Sequence, residues 1–385
     1  MPGFELIGSE EFEEIKDIFE RSRILFRHSF DDLRNGVYKV RDFETAFARR
    51  MGAAHALAVS SGSAALRVAL AALGIGPGDE VITQSFTFVA TAEAIIEAGA
   101  RPIIAEIDET LNLDPIDLET KINEKTKAII AVHMLGTPAR MDEILAVAES
   151  RNLAVIEDAA WGCGGFLQGK PLGTLGDIGT FSFDFAKTMT SGEGGMVVSQ
   201  DPKVHAAAAA YHDHGHENNP DFPRWEDTRS GSGFNYRMSE LAGAVGLTQL
   251  RKLDQVVAAQ RSNREAIYQA IADLPGLTPR AVPPGSEETA DALVFFVADA
   301  KKARACREAL LSQGLGTKIL PEAITWHFAG AWDHMPSLKA AHGPDLSRAF
   351  PRSKEILGRA VALPVTVKMD PGVPAKVRRA LKAVT

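Results

Sequence analysis

ALAVSSGSAALRVALAALGIGPGDEVITQ, residues 56–84, contains a whole strand–helix–strand unit. Its opening run is short, mostly apolar and β-rich, whereas the run from Ala64 to Gly74 is rich in Ala and Leu at helical spacing. Glycine and proline between Gly74 and Gly78 then break the helix before the apolar run Glu80 to Gln84. Outward from this unit the rhythm repeats. TAEAIIEAG (91–99) reads as helix, RPIIAEID (101–108) as strand, DLETKI (117–122) as helix, KAIIAVHML (127–135) as strand, 141–151 as helix and LAVIED (153–158) as strand. Such alternation predicts an α/β domain with a mixed, mostly parallel sheet between helices. TFSFDF (180–185) and GMVVS (195–199) add two strands. From Ser239 a long helical pattern runs to Leu274 and stops at Pro275-Gly276. A strand at 291–299, a helix at 303–313, a Trp/His-rich segment at 326–334 and a closing basic helix predict a smaller α+β domain. The expected division is 1–250 and 251–385.

With 385 residues, 45% of them hydrophobic and 24% charged, the chain has the composition of a globular protein with a large core. A net charge of -8 leaves no basic stripe for phosphate backbones, so nucleic acid is not an expected partner. The opening MPGFELIGSEEFEEIKDIFE is acidic rather than basic-then-apolar, so no secretory leader is expected, and no run reaches eighteen apolar residues. Cys163 and Cys306 are too few for a disulfide framework. These features predict a cytoplasmic protein without a membrane span.

Three segments carry candidate chemistry. In GTFSFDFAKTMTSGEGGMVVS (179–199) one lysine, Lys187, stands between two strands beside a Gly-rich turn. Lysine is rarely held without a task, although a surface lysine is the ordinary alternative. Asp158 ends the apolar strand LAVIED, and the small residues after it leave an opening of the kind where α/β sheets place ligands. A carboxylate there suits a protonated ring nitrogen, and a helix N-cap is the plainer alternative. At SSGSAAL (60–66) a strand passes into a helix without bulky side chains. The amides of Gly62, Ser63 and Ala64 would face an anion there, aided by the helix dipole, though capping also explains the serines.

These segments, with FTFVAT (86–91), resemble the sugar aminotransferase family named for DegT, DnrJ, EryC1 and StrS. SGSAAL, GDEVITQSFTFVATAEAI, HMLGTPARMDEI, VIEDAAWGCGG, GTFSFDFAKTMTSGEGGMVV, DHGH and GFNYRMSELAGAVGLTQLRKLD follow in the family's order over nearly the whole chain. The resemblance implies the fold type I architecture of transferases that use pyridoxal 5'-phosphate (PLP). It makes Lys187 the Schiff-base lysine and acid/base, and Asp158 the partner of the pyridine nitrogen. Phe88 stacks on the ring, Ser63 and Ala64 bind phosphate through backbone amides, and Ser182 adds its hydroxyl. Asn235 would reach the phosphate of a neighbouring subunit, which implies a homodimer. Trp161 stands where the family has Gln or His, and its indole ring is a further expected cofactor contact.

The segment RSRILFRHSFDDLRNGVYKVRDFE (21–44), the opening MPGFELIG, and WHFAGAWDHM (326–335) look like the branch that aminates carbon eight of Kdo, an eight-carbon sugar acid. Glutamate is then the amino donor and 8-oxo-Kdo the acceptor. Phe26, Arg27, Arg34 and His214 are the substrate-side candidates, the arginines because a bidentate guanidinium grips a carboxylate. A nucleotide-linked keto-sugar is the alternative acceptor, and a non-catalytic sensor on the same fold a remote one. A related dehydratase branch carries histidine in place of the lysine. His212, His214 and His216 alternate as metal ligands can, but no carboxylate or cysteine set accompanies them, so no metal is expected.

Overall fold

The computed structural model describes residues 2–219 and 221–384. The seven strands of its main sheet are β1 (His55–Val59), β2 (Glu80–Gln84), β3 (Arg101–Ala105), β4 (Thr126–Val132), β5 (Ala154–Asp158), β6 (Ile178–Ser182) and β7 (Gly195–Ser199). Their spatial order is β1-β7-β6-β5-β4-β2-β3. Pairing is parallel from β3 through β6, and β7 runs antiparallel to both of its neighbours. The mixed, mostly parallel sheet therefore follows from helical crossovers plus one hairpin-like return around Lys187.

Successive side chains of a strand point to opposite faces, and both faces here are covered by helices, so apolar residues dominate the strands and polar ones gather toward their ends. Ile130 and Ile156 pack with Ala65 and Ala69 of the Gly62–Ala72 helix, whereas Ile129 and Val155 pack with Ile144 of the Met141–Arg151 helix. Two glycines of the long Glu240–Ile271 helix let the Lys39–Met51 helix approach. A Cβ on Gly243 would meet Val40 backbone at 2.8 Å, and one on Gly246 would meet the Phe43 ring at 2.6 Å.

That long helix continues into the C-terminal part, so a division at residue 250 falls within one unbroken helix. A second, antiparallel sheet contains β8 (Thr278–Pro279), β9 (Ala292–Phe296) and β10 (Ala360–Pro364) in that order. One of its faces buries Leu293, Phe295, Val361 and Leu363 with Cys306 and Leu310 of the Ala300–Ser312 helix. On the other, Val294 and Phe296 share a core cluster with Phe86, Trp161, Phe328 and Trp332. The C-terminal sheet thus packs into the same core cluster as Trp161. No helix among the described residues is long and apolar enough to cross a membrane.

Candidate active site

Register brings the site together. Gly195 of β7 stands opposite Val59 on β1 and Ser182 on β6, so the C-terminal ends of those two parallel strands flank it. The helix following β1 is capped by Ser61, whose Oγ accepts from Ala64 N–H at 3.0 Å. Ala64 N–H is thus taken by the cap, while Gly62 and Ser63 at the same helix start line the cavity. Gly62 sits so near β6 that a Cβ there would meet Ser182 Cβ at 2.7 Å. Two amides at a helix N-terminus and the Ser182 hydroxyl therefore converge, a favourable setting for a phosphate dianion.

The cavity these groups line holds about 250 Å³ and also admits Phe88, Thr91, Asp158, Trp161, Lys187 and His327. Asp158 ends β5 and is buried. Its Oδ2 accepts from Thr91 Oγ1 at 2.9 Å and its Oδ1 from Ala160 N–H at 3.2 Å. Burial raises its pKa, opposed by those hydrogen bonds and by the nearby Lys187 ammonium. A cationic ring nitrogen is the partner such a carboxylate lacks.

Lys187 lies in the turn between β6 and β7, with its N–H donating to Asp184 O at 3.1 Å and its carbonyl accepting from Gly3 N–H at 3.0 Å. Burial lowers the pKa of its ammonium to about 8, while Asp158 and Asp184 pull the other way. Only about a tenth is neutral at pH 7, but that is far more than for an ordinary lysine, and the neutral form is the nucleophile. Its Nζ stands 3.9 Å from the centroid of the Trp161 ring. Phe88 is 40% exposed and lies parallel to Trp326, 6.2 Å between centroids and 7° between planes. A flat ligand entering between the Phe88 side and β5 would meet the lysine at one end and Asp158 at another.

Other expected residues lie elsewhere. Arg34 is fully buried, its Nη1 3.0 Å from Glu240 Oε1, its Nε donating to Ser29 O at 2.6 Å and its Nη2 to Phe26 O. Arg27 pairs with Glu44 at 2.6 Å and donates to Ala58 O at 3.0 Å. Both guanidiniums are spent on the fold, and neither lines the cavity, so the expected grip on a substrate carboxylate is corrected. Phe26 lies beneath the guanidiniums of Arg224 and Arg237, which both bind the buried Asp213. Asn235 bridges to Asp213 and lies outside its own chain's cavity. His214 is exposed with a positive φ of 56°, outside the cavity, while His212 is buried and His216 pairs with Asp227 at 3.1 Å. Cys163 is buried, which pushes its thiol to about 12.

A family model described as "DegT/DnrJ/EryC1/StrS aminotransferase family" matches residues 26–382. The chain belongs to this family. Over 220 residues, 57% of this chain and 58% of the relative, it is 44% identical to GDP-perosamine synthase of Caulobacter vibrioides. The match to the perosamine synthases thus spans about three-fifths of their length. It is 35% identical over 377 residues to the spore coat polysaccharide biosynthesis protein SpsC of Bacillus subtilis, covering 95% of this chain and 92% of that one. Among solved structures, the aminotransferase from Psychrobacter cryohalolentis superposes with a TM-score of 0.85 at 26% identity, covering 98% of this chain and 97% of that one. PLP is the cofactor of this aminotransferase family. The amide pair, the Ser182 hydroxyl, the Phe88 face, Asp158 and Lys187 match its phosphate, ring, nitrogen and aldehyde in chemistry.

His327 and Thr91 also line the cavity and were not singled out in the sequence. Burial lowers the His327 pKa to about 4, so its imidazole is neutral at pH 7. Thr91 lies inside the quoted FTFVAT, and the two-carboxylate-oxygen demand of Asp158 was the signal that could have found it.

Proposed function

We propose that the protein is a PLP-dependent sugar aminotransferase that takes an amino group from glutamate and delivers it to an oxidised sugar, the C8 aldehyde of Kdo. The observation carrying the reaction class is that Lys187 and Asp158 share one cavity with the Gly62–Ser182 phosphate cradle. When bound, PLP supplies an electron sink for the carbon that loses its proton. Asp158 favours a protonated ring nitrogen, because a carboxylate held by Thr91 and Ala160 keeps its charge aimed at that point. The neutral amine of Lys187 would move a proton at the substrate carbon, and its position over Trp161 keeps Nζ inside the cavity. Phe88 and Trp161 supply aromatic faces to the cavity wall.

Kdo as acceptor rests on the arginine-rich segment 21–44 and on 326–335, no longer on Arg27 or Arg34 as its grip. A second acceptor class, nucleotide-linked keto-sugars, is favoured by the similarity to GDP-perosamine synthases. Asn235, exposed and outside its own cavity, suits a homodimer in which it reaches the partner's phosphate cradle.

Visible absorbance of the PLP-loaded protein tests the reaction class. Glutamate should bleach the cofactor band, and borohydride before glutamate should fix the cofactor to Lys187. An adduct elsewhere, or none, overturns the reading. Turnover of 8-oxo-Kdo against a GDP-linked 4-keto-sugar then separates the two acceptors.

A further inference from the structure

Beside Lys187, a second lysine approaches the same indole. Lys318 Nζ lies 4.6 Å from the Trp161 centroid, compared with 3.9 Å for Lys187. Its side chain is 14% exposed and is held by Asp291, Nζ to Oδ2 at 2.6 Å. Asp291 is itself 2% exposed, and its other carboxylate oxygen, Oδ1, is buried without a hydrogen-bond partner among the described residues. The segment carrying Asp291 is tied to the cavity wall, since Thr289 Oγ1 donates to Trp161 O at 3.2 Å. In the cavity lining, the buried Nδ1 of His327 also has no hydrogen-bond partner among the described residues.

An orphaned carboxylate oxygen costs free energy unless a donor meets it, and of the three N–H groups of the ammonium one goes to Asp291 Oδ2 and a second to Asp291 O at 3.3 Å, which leaves one. A carboxylate ligand would satisfy the ammonium and repel Asp291. Water would satisfy both groups without discrimination. A hydroxyl on carbon donates to Asp291 Oδ1, accepts from Lys318, and places its carbon skeleton against an aromatic face. Sugars present that combination of hydroxyls and C–H surface, and Trp161 supplies the flat platform where the family pattern has a polar residue.

We propose that Trp161, Lys318 and Asp291 form a hydroxyl-recognition subsite for the sugar, with Asp291 and Lys318 bridged by one sugar hydroxyl and Trp161 under the adjoining carbons. The inference rests on the reading of the protein as a sugar aminotransferase. Lys318 is here a specificity residue, not a second Schiff-base lysine, because Asp291 keeps its charge engaged.

The test uses PLP-loaded protein and equilibrium titration of the cofactor absorbance band with two primary amines, 6-amino-6-deoxy-D-glucose and 1-aminohexane, alongside the rate of bleaching by glutamate. Wild type should bind the polyhydroxylated amine at least tenfold more tightly. Lys318→Met and Asp291→Asn should each erase that preference while 1-aminohexane affinity and the glutamate rate stay within about threefold. Absence of a preference in wild type overturns the subsite, as does its survival in both variants. Equal losses for both amines and glutamate would mean a structural role and overturn it too. If Lys318→Met does not fold, Asp291→Asn, which is isosteric, carries the same comparison. Failure of glutamate to bleach the wild-type band would instead remove the aminotransferase reading itself.

Discussion

Thr91 Oγ1 donates to Asp158 Oδ2 at 2.9 Å, and Thr87 Oγ1 lies 2.8 Å from the same threonine hydroxyl. All three side chains are buried, so the carboxylate is aimed by a hydroxyl chain rather than by solvent. Thr91→Val keeps the shape and deletes the donor. A lost hydrogen bond to a buried charged group is worth about 1.5–3 kcal/mol. We expect the glutamate half-reaction, followed by stopped-flow absorbance, to slow about tenfold or more, with Thr91→Ser restoring most of the rate. An unchanged rate in Thr91→Val would show that Ala160 alone orients Asp158.

Gly62 and Ser182 are joined by an absence of atoms. A Cβ at residue 62 would stand 2.7 Å from Ser182 Cβ, a backbone-anchored atom that cannot swing aside. Gly62→Ala should therefore open the cradle and weaken PLP binding at least tenfold in an equilibrium titration. Pyridoxal, which lacks the phosphate, should bind the variant and wild type within about twofold. Equal weakening for both would locate the damage in the ring site instead.

Arg34 and Glu240 form a fully buried ion pair at 3.0 Å, and Glu240 also accepts from Val40 N–H. Removing one partner of such a pair leaves a desolvated charge and costs about 3–5 kcal/mol. Arg34→Ala should lower urea-unfolding stability by that order, with its remaining folded fraction binding PLP normally. A variant of wild-type stability with altered substrate affinity would reinstate the arginine as a ligand.

The main sheet was legible because each crossover wrote its own period into the sequence: residues 56–84 hold β1, the Gly62–Ala72 helix and β2 almost residue for residue. That Lys187 and Asp158 share one cavity follows from two loops at the same sheet edge, and the residues alone left a surface lysine and an N-cap open, so their roles were expected only from the order of the family motifs. Arg27 and Arg34 were misread since their partners, Glu44 and Glu240, lie 17 and 206 residues away in sequence, and charge near a motif does not reveal whether it is already neutralised. Lys318 and Asp291 were invisible for the same reason. They meet only because β9 and the segment after the Ala300–Ser312 helix fold back onto Trp161. Secondary structure is written locally, whereas the pairing of charges is written in the tertiary fold.

Burial lowers the Lys187 pKa from 10.5 to about 8, so its charged form is less stable in the folded than in the unfolded chain. The unfolded lysine keeps its proton up to about pH 10.4, so the folded state, which has lost it above pH 8, is penalised while protonated. The cost is fully present below pH 8, fades between pH 8 and 10.5, and vanishes above. In cofactor-free protein, Lys187→Met removes it while keeping the apolar stem. The variant should be more stable than wild type by up to about 3 kcal/mol at pH 7. Denaturant unfolding repeated from pH 7 to 10.5 should show that advantage shrinking toward zero. An advantage constant across this range would mean that Lys187 is not held below its ordinary pKa, and that its nucleophilicity has another source.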